Sequence, residues 1–154
     1  ARKSHRSHPR SVFADYREAE DFHKEGWRRM SWRYFKVPEF ACRCGCGQNL
    51  IDHQFVTELD ELRHRYGAPL TVSSGYRCPD HNAKVSRTGR TGPHTTGRAA
   101  DLLVDRGNAY KLLRLSLEMG FTGIGLQQKG AGRFLHVDNL PNAPGQPRPT
   151  CWSY

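Results

Sequence analysis

The sequence reads as one small domain mixing helices and strands, preceded by a basic arm. Three observations lead there. Apolar residues recur at helical spacing over 52–66. The run AADLLV at 99–104 reads as a buried strand. GIGL at 123–126 and RFLHVD at 133–138 read as neighbouring strands across a short glycine turn. A chain of 154 residues is long enough for one such core plus an extension.

Each element has its own signal. Residues 1–11 hold four Arg or Lys and two His before Ser11 and no large apolar group, which predicts a solvated basic arm. Residues 12–30 carry a partly apolar stripe of Phe13, Tyr16, Ala19 and Phe22 in a charged segment, which predicts a surface helix. The arm and this helix form a first unit, 1–30, and the folded domain occupies 31–154. In 31–50, Trp32, Tyr34, Phe35 and Phe40 anchor an irregular segment that Pro38 and the glycines keep out of regular structure. The helix over 52–66 buries Phe55, Val56, Leu59, Leu62 and Tyr66, with Asp52 as N-cap and Gly67 as stop. LTVS at 70–73 is a short strand. Residues 74–98 form a long polar loop of the kind that builds sites. A second helix spans 108–119, with Asn108 as cap, Leu112, Leu113, Leu115 and Met119 in the core and Gly120 as stop. The tail, 139–154, is proline-rich and ends in Cys-Trp-Ser-Tyr. No internal repeat is visible.

Composition narrows the functional classes. A formal net charge of +9 favours polyanionic surroundings: nucleic acid, anionic lipid or the acidic polymers of a bacterial wall. No recognition-helix, RNA-sheet or zinc-finger pattern accompanies the charge, so specific nucleic-acid binding is not expected. No apolar run reaches the ~18 residues of a membrane span, and the basic N-terminus lacks the apolar stretch of an intact secretory signal. Five cysteines, an odd number, argue against a fully paired disulfide scaffold. Cys42, Cys44, Cys46 and Cys78 leave three options open. They are a second, structural zinc site, a disulfide from one of the first three to Cys78, or unligated thiols. His81 reads as a turn residue.

The chemistry starts at HTTGRAAD. Asp101 sits within an apolar strand, where a carboxylate is costly unless paired or metal-bound. Gly97 permits the turn that folds His94 back against it. In FLHVD, alternation puts Phe134, His136 and Asp138 on one face and Leu135 and Val137 on the other. One zinc ion held by His94, Asp101 and His136 would satisfy this polar group. Three protein ligands leave the fourth position open, which is the catalytic arrangement. In SSGYRCPDHN, Arg77 follows a strand and can grip a carboxylate or an oxyanion.

SGYRCPDHN, the H-x6-D spacing of His94 and Asp101, GFTGIG and FLHVD together resemble the peptidase M15 family. The likeness is to the group with zinc D-Ala-D-Ala carboxypeptidases and many phage endolysins, and covers roughly 33–140. FACRCGCG also looks like the opening of that domain. The resemblance implies a small α+β fold with a central antiparallel sheet, flanking helices and zinc in a surface groove. It implies His94, Asp101 and His136 as ligands of one catalytic zinc and Arg77 as the substrate-facing arginine. Two departures stand out. Relatives carry a serine where this chain has Gly92, and an acidic or histidine base where it has Phe134 or Arg133. Asp138 is then the candidate general base, or else it orients His136.

The resemblance implies a zinc peptidase acting on peptidoglycan stem peptides, as a D,D-carboxypeptidase, D,D-endopeptidase or L-Ala-D-Glu endopeptidase. It suggests a phage-encoded enzyme that acts in the host cytoplasm and then the wall, or one carried by the virion. The basic arm is a candidate contact for virion proteins. The alternative is a phage structural or wall-binding module on the same fold, its peptidase activity weak or lost.

Overall fold

The computed structural model describes residues 31–154, of which Trp32–Tyr154 form one compact unit. The basic arm and the 12–30 helix fall outside the described residues. The described part is an α+β domain with a five-stranded sheet and three helices.

A 3-10 turn, Val37–Phe40, leads into helix α1, His53–Tyr66. As the spacing predicts, the Asp52 side chain caps α1 by accepting the Phe55 N–H at 2.8 Å, and Gly67 ends it in the left-handed region. Strand β1, Thr71–Ser74, runs toward helix α2, Pro79–Val85. The 74–98 segment is therefore not all loop, since it holds α2 and a 3-10 turn at Pro93–Thr96. Strand β2 is Ala99–Leu103. Helix α3, Arg106–Glu118, begins two residues before the expected Asn108 cap, so Asn108 lies within it. Strands β3, Gly123–Gln127, and β4, Phe134–Asp138, pair antiparallel.

The proline-rich tail adds a further strand to the central antiparallel sheet. Thr150–Ser153 form strand β5, which pairs parallel with β3. The order is β1-β2-β4-β3-β5, antiparallel except for that last pair.

Strand alternation sorts the two faces of the sheet. Ala100, Leu102, Ile124, Leu135 and Val137 are buried. So are Phe55, Leu59 and Leu62 of α1 and Leu112 and Leu115 of α3. Helices α1 and α3 pack on each other, and α3 packs on β4. Burying these side chains on one face is what drives a helix layer onto a sheet. The alternate residues, Asp101, Gly123, Gly125, His136, Asp138 and Trp152, share the other face. Among the described residues, no helix is long and apolar enough to cross a membrane.

Candidate metal centre

Strand register builds the centre. Asp101 of β2 stands directly opposite His136 of β4, so their side chains meet across the pair. His94 arrives from the 3-10 turn, which Gly97 closes with a φ of 75°. A side chain at Gly97 would also strike the Leu50 carbonyl, so glycine is required there twice over. The three residues are buried, and their ligand atoms lie within 4.8 Å of one another.

Hydrogen bonds decide how each imidazole presents itself. His94 Nδ1 lies 2.7 Å from the Gly75 carbonyl, which can only accept, so Nδ1 carries the proton. The opposite nitrogen, Nε2, faces Asp101 Oδ1 at 3.2 Å. Burial pushes the His94 pKa down despite Asp101, so the ring is held toward neutrality. Its Nε2 lone pair then points at an anionic oxygen, a repulsive contact without a cation between them. His136 faces two carboxylates, Asp101 Oδ1 at 2.9 Å from Nδ1 and Asp138 Oδ2 at 3.1 Å from Nε2. Burial opposes charge on His136, but these two carboxylates outweigh it and raise its pKa. Asp101 shows the reverse balance. Burial pushes its carboxyl up, and the His94 and His136 contacts outweigh that and hold it below the usual carboxylate range.

This donor set fits a small divalent cation. Tetrahedral zinc with bonds of 2.0–2.1 Å sets its ligands roughly 3.3 Å apart. Here one carboxylate oxygen stands 2.9 and 3.2 Å from two imidazole nitrogens. Each ring is turned by a partner on its far side, Gly75 for His94 and Asp138 for His136.

All five residues singled out in the sequence meet in this network. Arg77 donates from Nη2 to Asp101 Oδ2 at 2.8 Å and from Nε to Ser74 Oγ at 2.8 Å. It therefore braces a candidate ligand while also lining the groove. Asp138 is fully buried, and four contacts fill its roughly four acceptor positions. Oδ1 accepts from Arg148 Nε at 2.8 Å and from the Leu140 N–H at 3.3 Å. Oδ2 accepts from Arg148 Nη2 at 2.8 Å and meets His136 Nε2. Burial pushes the Asp138 carboxyl up, but His136 and Arg148 outweigh it and hold it at about 2. No acceptor position on Asp138 remains for a proton arriving from the groove.

Sequence reasoning missed Arg148, Trp152 and Tyr154. Trp152 lies on β5 with its ring 5.0 Å from that of His136, and the Arg148 guanidinium sits 5.6 Å over the indole. Tyr154 packs on Phe134 at 5.1 Å. The one available signal was the period-two spacing of Trp152 and Tyr154 in the last five residues.

The centre forms the floor of a groove of about 1130 Å³. Arg77, Arg87 and Arg148 bring positive charge to its lining, and Asp101 is the only carboxylate among the described residues there. The two positions at which the resemblance breaks, Gly92 and Phe134, have structural readings. A side chain at Gly92 would strike Thr88. Phe134 lines the groove and packs at a tilt against Tyr154.

No curated protein matches the chain. The family model described as Peptidase M15 matches residues 33–138, which takes in every strand of the metal centre except β5. The chain belongs to the peptidase M15 family.

Proposed function

We propose that this protein is a zinc metallopeptidase that hydrolyses peptide bonds in bacterial peptidoglycan. The observation that carries the proposal is the buried convergence of two imidazole nitrogens on Asp101 Oδ1 at the floor of an open groove. His94, Asp101 and His136 would hold the ion, which in such a site polarises a carbonyl and lowers the pKa of water to about 7.

The chain's own residues supply the rest. Arg77 orients Asp101, and its guanidinium has further N–H groups for a substrate carboxylate or a developing oxyanion. Partial burial pushes the Tyr154 phenol up, so near neutral pH it is a hydrogen-bond donor at the groove. Asp138 orients His136 and does not move protons. The basic groove suits the anionic wall polymers that surround stem peptides. The expected setting is a phage lysis or virion-borne enzyme.

The test is metal analysis paired with mass spectrometry of fragments released from purified peptidoglycan. The expected result is bound zinc and released stem peptides. His94→Ala, Asp101→Ala and His136→Ala should each lose both, and activity retained in any one would refute that ligand.

One observation favours a second reading. With Asp138 saturated, the described groove lining offers no carboxylate besides Asp101 to accept a proton. A wall-binding module on the same fold, with weak or lost peptidase activity, would bind zinc and peptidoglycan yet release no peptides at any pH.

A further inference from the structure

A second cluster of metal-ligating side chains lies outside the groove lining. Cys42, Cys44 and Cys46 come from the loop after the 3-10 turn, and Cys78 comes from the residue that precedes α2. The loop is folded back on itself, with the Cys42 N–H donating to Gln48 O at 2.9 Å. Gly45 and Gly47 adopt φ of 84° and 73°, the left-handed turns that let three alternate residues face one point. The four sulfurs lie within 4.8 Å of one another. Cys42 Sγ is 3.4 Å from Cys44 Sγ, which is 3.7 Å from Cys78 Sγ.

We propose that Cys42, Cys44, Cys46 and Cys78 bind a structural zinc ion as a closed tetrathiolate site, separate from the centre in the groove. Zinc–sulfur bonds of 2.3 Å in a tetrahedron set sulfurs about 3.8 Å apart, close to the spacings seen. Four protein ligands close the coordination shell, which marks a structural ion. The surrounding donors fit bound thiolates. The Cys78 N–H donates to Cys42 Sγ at 3.3 Å, and the His81 N–H donates to Cys78 Sγ at 3.4 Å. His81 Nδ1 lies 3.3 Å from Cys42 Sγ, so His81 serves the sulfur cluster as well as the turn. Such N–H···S bonds orient thiolates and stabilise their charge.

Two other options fit less well. Thiols that serve only as small core residues are buried, yet Cys44 and Cys46 are exposed and still turn toward the buried pair. A disulfide from one of Cys42, Cys44 and Cys46 to Cys78 would join only two of four sulfurs that all converge within 4.8 Å. It would leave the other two thiols in the cluster unexplained.

The site has a structural purpose. It ties the 42–46 loop to Cys78, the residue directly after Arg77 and three after Gly75. Those two residues position Asp101 and His94. Binding would release the thiol protons to solvent and hold this strap in place.

The experiment uses the full chain, purified with zinc and a reductant that is then removed. Zinc per chain is measured by elemental mass spectrometry, thiols by titration before and after denaturation, and the visible and near-ultraviolet spectrum after cobalt exchange. The expected wild-type result is two zinc ions per chain. Only Cys151 should react rapidly in the folded state, and cobalt should give a strong thiolate charge-transfer band. The His94→Ala/His136→Ala variant should keep one metal and the full band, so the cysteine site is read independently of the groove. Cys44→Ser/Cys46→Ser should lose one metal and the band. Because that variant could fail to fold, the wild-type spectrum and thiol count decide alone. A wild-type cobalt spectrum without the band overturns the proposal. So does a denatured thiol count below five without reductant, which would signal a disulfide.

Discussion

At the scale of single residues, Asp138 separates two roles a carboxylate beside a metal centre can play. Its acceptor positions are taken by Arg148, the Leu140 amide and His136. A residue that turns a ligand ring acts on metal affinity, typically by 10–100-fold when it is removed, whereas a proton carrier acts on turnover at constant affinity. Asp138→Asn is therefore expected to weaken zinc binding by roughly 10–100-fold in a competitive chelator titration. Zinc-saturated turnover should fall much less. Unchanged affinity with abolished turnover would instead make Asp138 the base. The same residue predicts a pH effect on the metal-depleted protein. Its folded pKa, about 2, is below the ordinary value of 3.8, so the stability it contributes is complete above 3.8 and drains as pH falls through about 2. Denaturant titrations between pH 5 and 2 should show a shallower stability loss for Asp138→Asn than for the wild type. Equal slopes would mean that Asp138 is not held ionised by Arg148 and His136.

At the scale of elements, β3 shows how small residues make room for large ones. Its glycines alternate with Ile124 and Leu126, so Gly123 and Gly125 both face the site. A Cβ at Gly123 would land on the Asp138 carboxylate, and one at Gly125 would come within 2.7 Å of the Trp152 indole. Gly125→Ala is expected to swing Trp152 off His136 and cost about 1–3 kcal/mol as overpacking does. Peptide release should fall with it. Gly107→Ala at an exposed position of α3 is the control, since nothing lies within 4 Å of the added carbon. It should be neutral to stabilising by up to about 1 kcal/mol. Comparing melting temperature and activity for both variants checks this. Equal activity in the two would show that Trp152 is not needed where it stands.

These elements also show what was legible beforehand. The apolar stripe of α1 and the alternation of β4 are statements about one element, and periodicity carries them. So the convergence of His94, Asp101 and His136 was legible from the cost of a buried carboxylate, strand facing and the family-like spacing together. Helix α2 has seven residues, too few for a stripe to declare itself, and its cap is a cysteine with proline next. Helix α3 begins after Asp105, whose side chain makes no capping bond, so Asn108 was the stronger local signal and misled by two residues. Arg148 could not be picked out. A buried Asp138 demands a cation, but 24 lysines and arginines compete for that place until the parallel β5 pairing fixes the tail.

At the scale of the whole domain, the sheet divides labour between its two faces. One carries the apolar contacts of α1 and α3, and the other carries the candidate metal centre, with strands β2 and β4 contributing side chains to both. Stability and chemistry should then be separable by mutation on opposite faces, provided the strand backbones stay in register. Leu59 is fully buried in α1 on the helical side and touches none of the centre's hydrogen bonds. Leu59→Ala removes buried methyls and leaves a partial cavity, a loss of about 2–5 kcal/mol. The expected outcome is a clearly lower denaturation midpoint with unchanged zinc stoichiometry and near-normal peptide release at a temperature where the variant remains folded. His136→Ala should give the reverse pattern of lost metal and lost release in a domain that still unfolds cooperatively, because Leu135 and Val137 keep β4 seated on the helices. Loss of zinc in Leu59→Ala under folded conditions would mean that the two faces are coupled through the sheet and that the centre's geometry depends on core packing.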